Sequence, residues 1–81
     1  MTTFKFYSTS WCGNCKIMKP IMKELAPDTE FILLDDVDEE SLILLNIQSV
    51  PVILKCEDGV EVARISGGQS KANMAKFVKG E

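Results

Sequence analysis

A change of hydrophobic period near residue 12 constrains this chain more than any other feature. From Thr3 to Ser8, polar and apolar side chains alternate as in a strand, with aromatic residues suited to a pleated surface. From Cys12 to Ala26 the pattern turns helical. Ile17, Ile21 and Leu25 recur every four residues, Met18 and Met22 widen the stripe, and Lys16, Lys19 and Lys23 take the opposite face. Pro20 falls inside this helix and removes a backbone donor, so a kink is expected there, and Pro27-Asp28 ends it. Glu30–Asp36 follows as a strand whose centre, Phe31-Ile32-Leu33-Leu34, is apolar on both faces, the pattern of a strand inside a covered sheet. Strand, helix and strand in that order should cross over right-handedly and pair in parallel.

The rest of the chain completes one layered domain. Asp36-Val37-Asp38-Glu39 has capping-box spacing and opens a short helix to about Asn46, where its carboxylates suit a helix N-terminus. Val50–Glu57 and Val60–Ser66 read as strands joined by the hairpin signal Asp58-Gly59. Gly67-Gly68 breaks the chain before a last helix, Gln69 to Lys79, with Met74, Phe77 and Val78 on one side. The order is βαβ-α-ββ-α over a single domain, residues 1–81, of the α/β class: one mixed sheet with helices on both faces. At 81 residues, with 46% apolar, a thin but sufficient core is expected.

Composition narrows the chemistry. Histidine is absent, which removes Ser-His and Cys-His catalytic pairs, histidine zinc ligands and the usual neutral-pH proton shuttle. Seven carboxylates and no cation lie between Asp28 and Glu40, while the lysines are scattered, so no nucleic-acid partner is expected. Apolar runs reach only four residues, far short of the roughly 20 of a membrane span. No secretory leader pattern opens the sequence, and three cysteines, an odd number, suit a disulfide scaffold poorly. A cytoplasmic monomer with working thiols is expected.

Those thiols sit in Trp11-Cys12-Gly13-Asn14-Cys15, where the first strand hands over to the first helix. Unpaired N–H groups and the helix dipole favour a thiolate at Cys12. Cys15, one turn on and more covered by its helix, can reach back to close a disulfide. Cys12 is therefore the expected attacking thiolate and Cys15 the thiol that resolves the mixed disulfide. A C-x-x-C pair could also be half a zinc or iron–sulfur site, shared between two chains, but the other ligands are missing and no metal is expected. Two inert core cysteines are the remaining alternative; the flanking Trp11 and Gly13 and the strand-to-helix position argue against it. Cys56, alone in a strand, reads as a core thiol. Val50-Pro51 opens a strand with a residue that cannot donate to the ladder. Either a cis bond in a tight turn or a trans loop proline would account for it. A cis bond would leave the Val50 backbone free to pair with a passing polypeptide.

Together these residues resemble the thioredoxin superfamily over essentially the whole chain. Trp11-Cys12-Gly13-Asn14-Cys15-Lys16 is similar to the family's W-C-G-P-C-K segment, with Asn14 in place of proline. Pro20 matches the proline of its active-site helix, Val50-Pro51 its cis-proline turn, and Asp58-Gly59 and Gly67 its hairpin and the glycine after the last strand. The resemblance implies a minimal thioredoxin fold with a four-stranded sheet and a redox-active Cys12–Cys15 disulfide with no bound cofactor. It further implies protein-disulfide reduction, with disulfide-containing proteins as substrates held by Trp11, Val50, Pro51 and Gly67, and a thioredoxin reductase as electron source. Two departures stand out. The buried aspartate that thioredoxins usually carry six positions before the first cysteine is Phe6 here, and Asn14 replaces the tuning proline. Tyr7-Ser8, Ser49-Val50-Pro51 and Gly67-Gly68 also resemble glutaredoxin segments, with glutathione as the alternative reductant. The spacing from Pro51 to Gly67 is that of thioredoxins.

Overall fold

The computed structural model describes residues 1–35, 37–47 and 49–80. Alternation in β1 (Thr2–Ser8) sends Phe4 and Phe6 to one side of the sheet and Tyr7 to the other. α1 (Gly13–Leu25) and β2 (Glu30–Leu33) complete the expected unit, β2 pairing in parallel with β1 from Lys5 opposite Glu30 to Ser8 opposite Leu33. α2 (Glu39–Leu44) leads into β3 (Val52–Glu57), which runs antiparallel to β1 from Thr2 opposite Glu57 to Tyr7 opposite Val52. β4 (Val60–Ser66) returns beside β3 through a turn in which Asp58 (φ 51°) and Gly59 (φ 87°) both take positive φ, the two-residue hairpin geometry. α3 (Lys71–Lys79) closes the chain. The sheet order is β2-β1-β3-β4, four strands, mixed, as expected.

Two apolar clusters lie on the sheet's two sides. Phe4, Phe6 and Ile53 pack with Cys12, Cys15, Met18 and Met22 of the α1 segment and Met74 of α3. Tyr7, Val52, Leu54 and Cys56 pack with Leu34 and Ile47. Phe6, Met18, Met22, Ile53 and Met74 are essentially inaccessible. Each contributes on the order of 1.5–3 kcal/mol of burial to the core that carries the cysteines.

Four expectations need correction. The second strand ends at Leu33 and is an edge strand, with Leu33 54% exposed, so its apolar run does not mark an interior position. Strand order depends on which distant segment pairs where, which a local run does not encode. The short helix is capped by Asp38, whose Oδ1 accepts from the Ser41 N–H at 2.9 Å. The first residue of the expected capping box, Asp36, lies outside the described residues. α1 buries Cys15, Met18 and Met22, with Ile21 and Leu25 half-buried and Ile17 exposed. The buried line is thus set by the cysteine and methionines, one helical step round from the four-residue repeat. β3 and α3 start later than expected, at Val52 and Lys71, the latter because Ser70 takes the cap. α1 runs continuously through Pro20.

Candidate active site

The site forms where β1 ends. Ser8 and Thr9 are buried, Trp11 turns out into solvent at 74% exposure, and Cys12 stops the turn as the N-cap of α1. Its N–H donates to the Thr9 carbonyl at 3.3 Å. Cys12 keeps extended backbone angles, and its Sγ accepts the Cys15 N–H at 3.1 Å. A sulfur at this position replaces the oxygen of an ordinary cap side chain and sits against unpaired helix N–H groups. No acidic residue occupies the first turn of α1, so no carboxylate in that turn opposes negative charge on that sulfur.

Cys12 and Cys15 are joined as a disulfide, with Cα atoms 5.3 Å apart. Both are largely covered, Cys12 at 9% and Cys15 at 3% exposure, so Cys12 is the less covered residue. Cys56 is a buried free thiol in the opposite cluster, away from the pair, as its reading as a core residue anticipated. Among the described residues no cluster of three cysteines or carboxylates is placed to hold a metal ion.

Other expected site residues converge on this turn. The Val50-Pro51 peptide is cis and Pro51 is fully buried. Gly67 takes φ 77°, a conformation that favours glycine, and its N–H donates to the Pro51 carbonyl at 2.9 Å, tying two segments together. Val50 packs against both apolar clusters. Trp11 and Val50 line a largely apolar groove of about 150 Å³ together with Leu34, Leu42 and Ile47, with Thr9 and Ser49 its polar members. Gly13 has open space where a side chain would begin. Asn14, by contrast, lies against Gly68: a Cβ there would stand 3.0 Å from Asn14 Nδ2, so the residue in the usual proline position uses the second glycine as its seat.

Sequence reasoning missed the groove residues Leu34, Leu42 and Ile47, of which Leu34 stood only within the apolar run of the second strand. It also missed Gly68 as the partner of Asn14, and a second cleft that Thr9 and Lys19 line together with Cys15. A signal was present for the first group alone, as apolar residues bordering the two loops that flank α2.

A family model described as thioredoxin matches residues 2–80. The chain is 38% identical over 78 residues to thioredoxin of Staphylococcus aureus strain Mu50, covering 90% of this chain and 74% of that protein. It is 35% identical over 79 residues to thioredoxin of Staphylococcus saprophyticus, covering 91% and 75%. In structure it is similar to a thioredoxin variant from Halobacterium salinarum NRC-1, with a TM-score of 0.80 at 19% identity over 98% of this chain and 73% of that one. At that identity the likeness speaks for the fold alone. No described helix is long and apolar enough to cross a membrane.

Proposed function

The chain belongs to the thioredoxin family, a protein-disulfide oxidoreductase with its redox pair at Cys12 and Cys15, and we propose that Cys12 attacks and Cys15 resolves. The observation that carries this division is the capping geometry. Cys12 Sγ accepts an N–H at the start of a helix whose first turn has no acid, and Cys12 is the less covered residue of the pair. In the reduced protein the Cys12 thiolate attacks one sulfur of a substrate disulfide. A Cys12–substrate bond forms, the substrate S–S bond breaks, and its other sulfur leaves as a thiolate that takes up a proton. Cys15 then loses its proton and attacks Cys12 Sγ. The Cys12–Cys15 bond forms, the substrate sulfur is released, and the substrate has gained two electrons and two protons.

The substrate chain lies in the groove between Trp11 and Val50, with the Val50 backbone offering strand-like pairing and Pro51 and Gly67 holding that segment in place. Gly13 and Asn14 shape the turn between the sulfurs. A flavoprotein thioredoxin reductase returns electrons to the oxidised pair, which places the protein, as a monomer in the cytoplasm, in electron transport and cell redox homeostasis. The family match favours this reductant over glutathione.

Thiol trapping on a protein substrate tests the assignment. Cys15→Ser should accumulate a stable mixed disulfide through Cys12, and Cys12→Ser should accumulate none. A mixed disulfide that builds up in Cys12→Ser instead would reverse the roles.

A further inference from the structure

Seven carboxylates lie between Asp28 and Glu40, and no lysine or arginine occurs from Asp28 to Leu54. Among the described residues none of these carboxylates forms a salt bridge; the ion pairs present engage Asp58, Glu61 and Glu24 instead. Asp35 and Asp38 accept the Ser10 and Ser41 N–H groups, which gives each a local use, and Asp38 makes the cap of α2. Glu39 is exposed, and no described donor bonds its carboxylate. Arg64, the cation that reaches α2, meets the Leu45 and Asn46 carbonyls beyond its other end and is itself paired with Glu61. The Glu39 end of α2 is therefore left negative.

That charge borders an apolar surface continuous with the groove of Trp11 and Val50. Glu39, Leu42, Ile43 and Asn46 have the spacing of one helix face, and with Ile47 they line a hollow of about 310 Å³. Leu42 and Ile47 also line the Trp11 groove, so the two hollows share a wall. The surface that starts at Trp11, next to Cys12 in the chain, continues over Leu42 and Ile47 to Ile43 and Glu39. Ile43 is 71% exposed, an apolar side chain on a short helix with nothing of its own chain covering it. A carboxylate beside exposed apolar surface is complementary to a polypeptide that carries an apolar side chain and a cation close together.

We propose that this face of α2 extends the substrate groove and selects disulfides whose cysteine has an apolar residue and a lysine or arginine nearby in sequence. The apolar side chain lies on Leu42 and Ile43, and the cation meets Glu39. The proposal rests on the substrate chain occupying the groove at Trp11 and Val50. Glu39 acts as a rim charge: it speeds encounter with basic segments, slows encounter with acidic ones, and loses both effects as salt rises.

The test uses short synthetic peptides with one cysteine joined by a disulfide to 2-nitro-5-thiobenzoate. A leucine stands beside the cysteine, and lysine, glutamine or glutamate is scanned over the next positions on either side. In the reduced protein the Cys12 thiolate bonds to the peptide sulfur, the S–S bond breaks, and the coloured aromatic thiolate leaves with its electron pair. The measured quantity is the second-order rate constant, taken as a ratio between peptides so that any general change in Cys12 reactivity cancels. At low salt and the favoured position, the lysine peptide should react about fivefold faster than the glutamate peptide, with glutamine between them. The ratio should fall towards one at about 1 M salt. Glu39→Gln should lower it, and Glu39→Lys should bring it close to one. Ile43→Gln should slow the leucine peptide about threefold relative to a glycine counterpart. Asp58→Asn, which removes the same charge at the end of β3 remote from Val50, should leave the ratio unchanged. A ratio that Glu39→Lys does not move, or that Asp58→Asn lowers as much as Glu39→Gln does, overturns the proposal. Self-association in sedimentation that Glu39→Lys abolishes would assign the surface to a second copy of this chain and likewise overturn it. Trp11→Ala keeps the two readings separable. If it slows no peptide, the groove itself is misassigned; if it slows all of them while Glu39→Lys leaves the ratio intact, only the extension fails.

Discussion

One side of the sheet is covered by α1 and α3, which bury Met18, Met22 and Met74 against Phe4, Phe6 and Ile53. Among the described residues the other is covered by Leu34, Ile47 and α2, a six-residue helix that buries none of its own residues and exposes Ile43 and Leu44. Both sulfurs of the redox pair belong to the thick side. The apolar groove against Trp11 draws Leu34, Leu42 and Ile47 from the thin side. The pair that forms a bond between its two sulfurs is thus anchored in close-packed core, and the groove we propose for the substrate chain is built from lightly held parts.

Core truncation gives the largest test of that contrast. Phe6→Ala, at a fully buried position under the cysteines, should cost about 3–5 kcal/mol, and Leu34→Ala on the thin side about 2–3 kcal/mol, because the lighter cover collapses onto the gap. Urea unfolding of both variants measures it. Equal losses would remove the distinction between the two sides.

Arg64 probes the thin side more gently. From β4 its guanidinium donates to the carbonyls of Leu45 and Asn46 at the end of α2 and forms a two-bond pair with Glu61. Asn46 takes a left-handed φ of 56° that ends the helix, leaving those carbonyls for Arg64. Arg64→Met should cost about 1 kcal/mol, since the bonds are charge-assisted but partly solvated. Amide exchange should quicken in α2 and stay unchanged in α1.

The smallest effect is acid sensitivity. Ser41, through its side chain and its backbone N–H, holds the Asp38 carboxyl below its ordinary 3.8, and the hydrogen bonds from Arg64 hold Glu61 below its ordinary 4.5. Both are depressed in the folded protein. The stability they contribute is therefore fully present above those ordinary values and lost as pH falls through the lower folded ones. α1 and α3 are capped by Cys12 sulfur and the Ser70 hydroxyl, which do not titrate in that range. Amide exchange followed from pH 5 to pH 3 should show α2 loosening first, and Asp38→Asn should flatten that dependence.

Legibility in the sequence followed the range of the interactions concerned. The redox turn, the Asp58-Gly59 hairpin and the apolar side of α3 were readable because each is written in residues a few positions apart. The cap of α2 was misplaced by two residues, because Asp36 and Asp38 both precede good helix formers and only the Ser41 N–H distinguishes Asp38. β2 was misread as interior because Phe31 and Ile32 meet core on their inner sides while the strand's outer edge has no neighbour. At the site, the cysteine pair was legible from spacing, while the cis Val50-Pro51 bond came from the resemblance, because the residues alone fit cis and trans equally. The groove residues Leu42 and Ile47 were not, since their approach to Trp11 depends on how distant segments pack.

β1 sits between β2 and β3, and synthesis delivers these three strands at very different times. β1, α1 and β2 are contiguous and can associate early, whereas Thr2 meets Glu57 only after the whole middle of the chain has been made. Until then one long edge of β1 stands open to any strand that passes. The nascent polypeptide therefore carries both cysteines before the Val50-Pro51 turn and Gly67 have been made. Its thiols precede half of the sheet that will come to cover them.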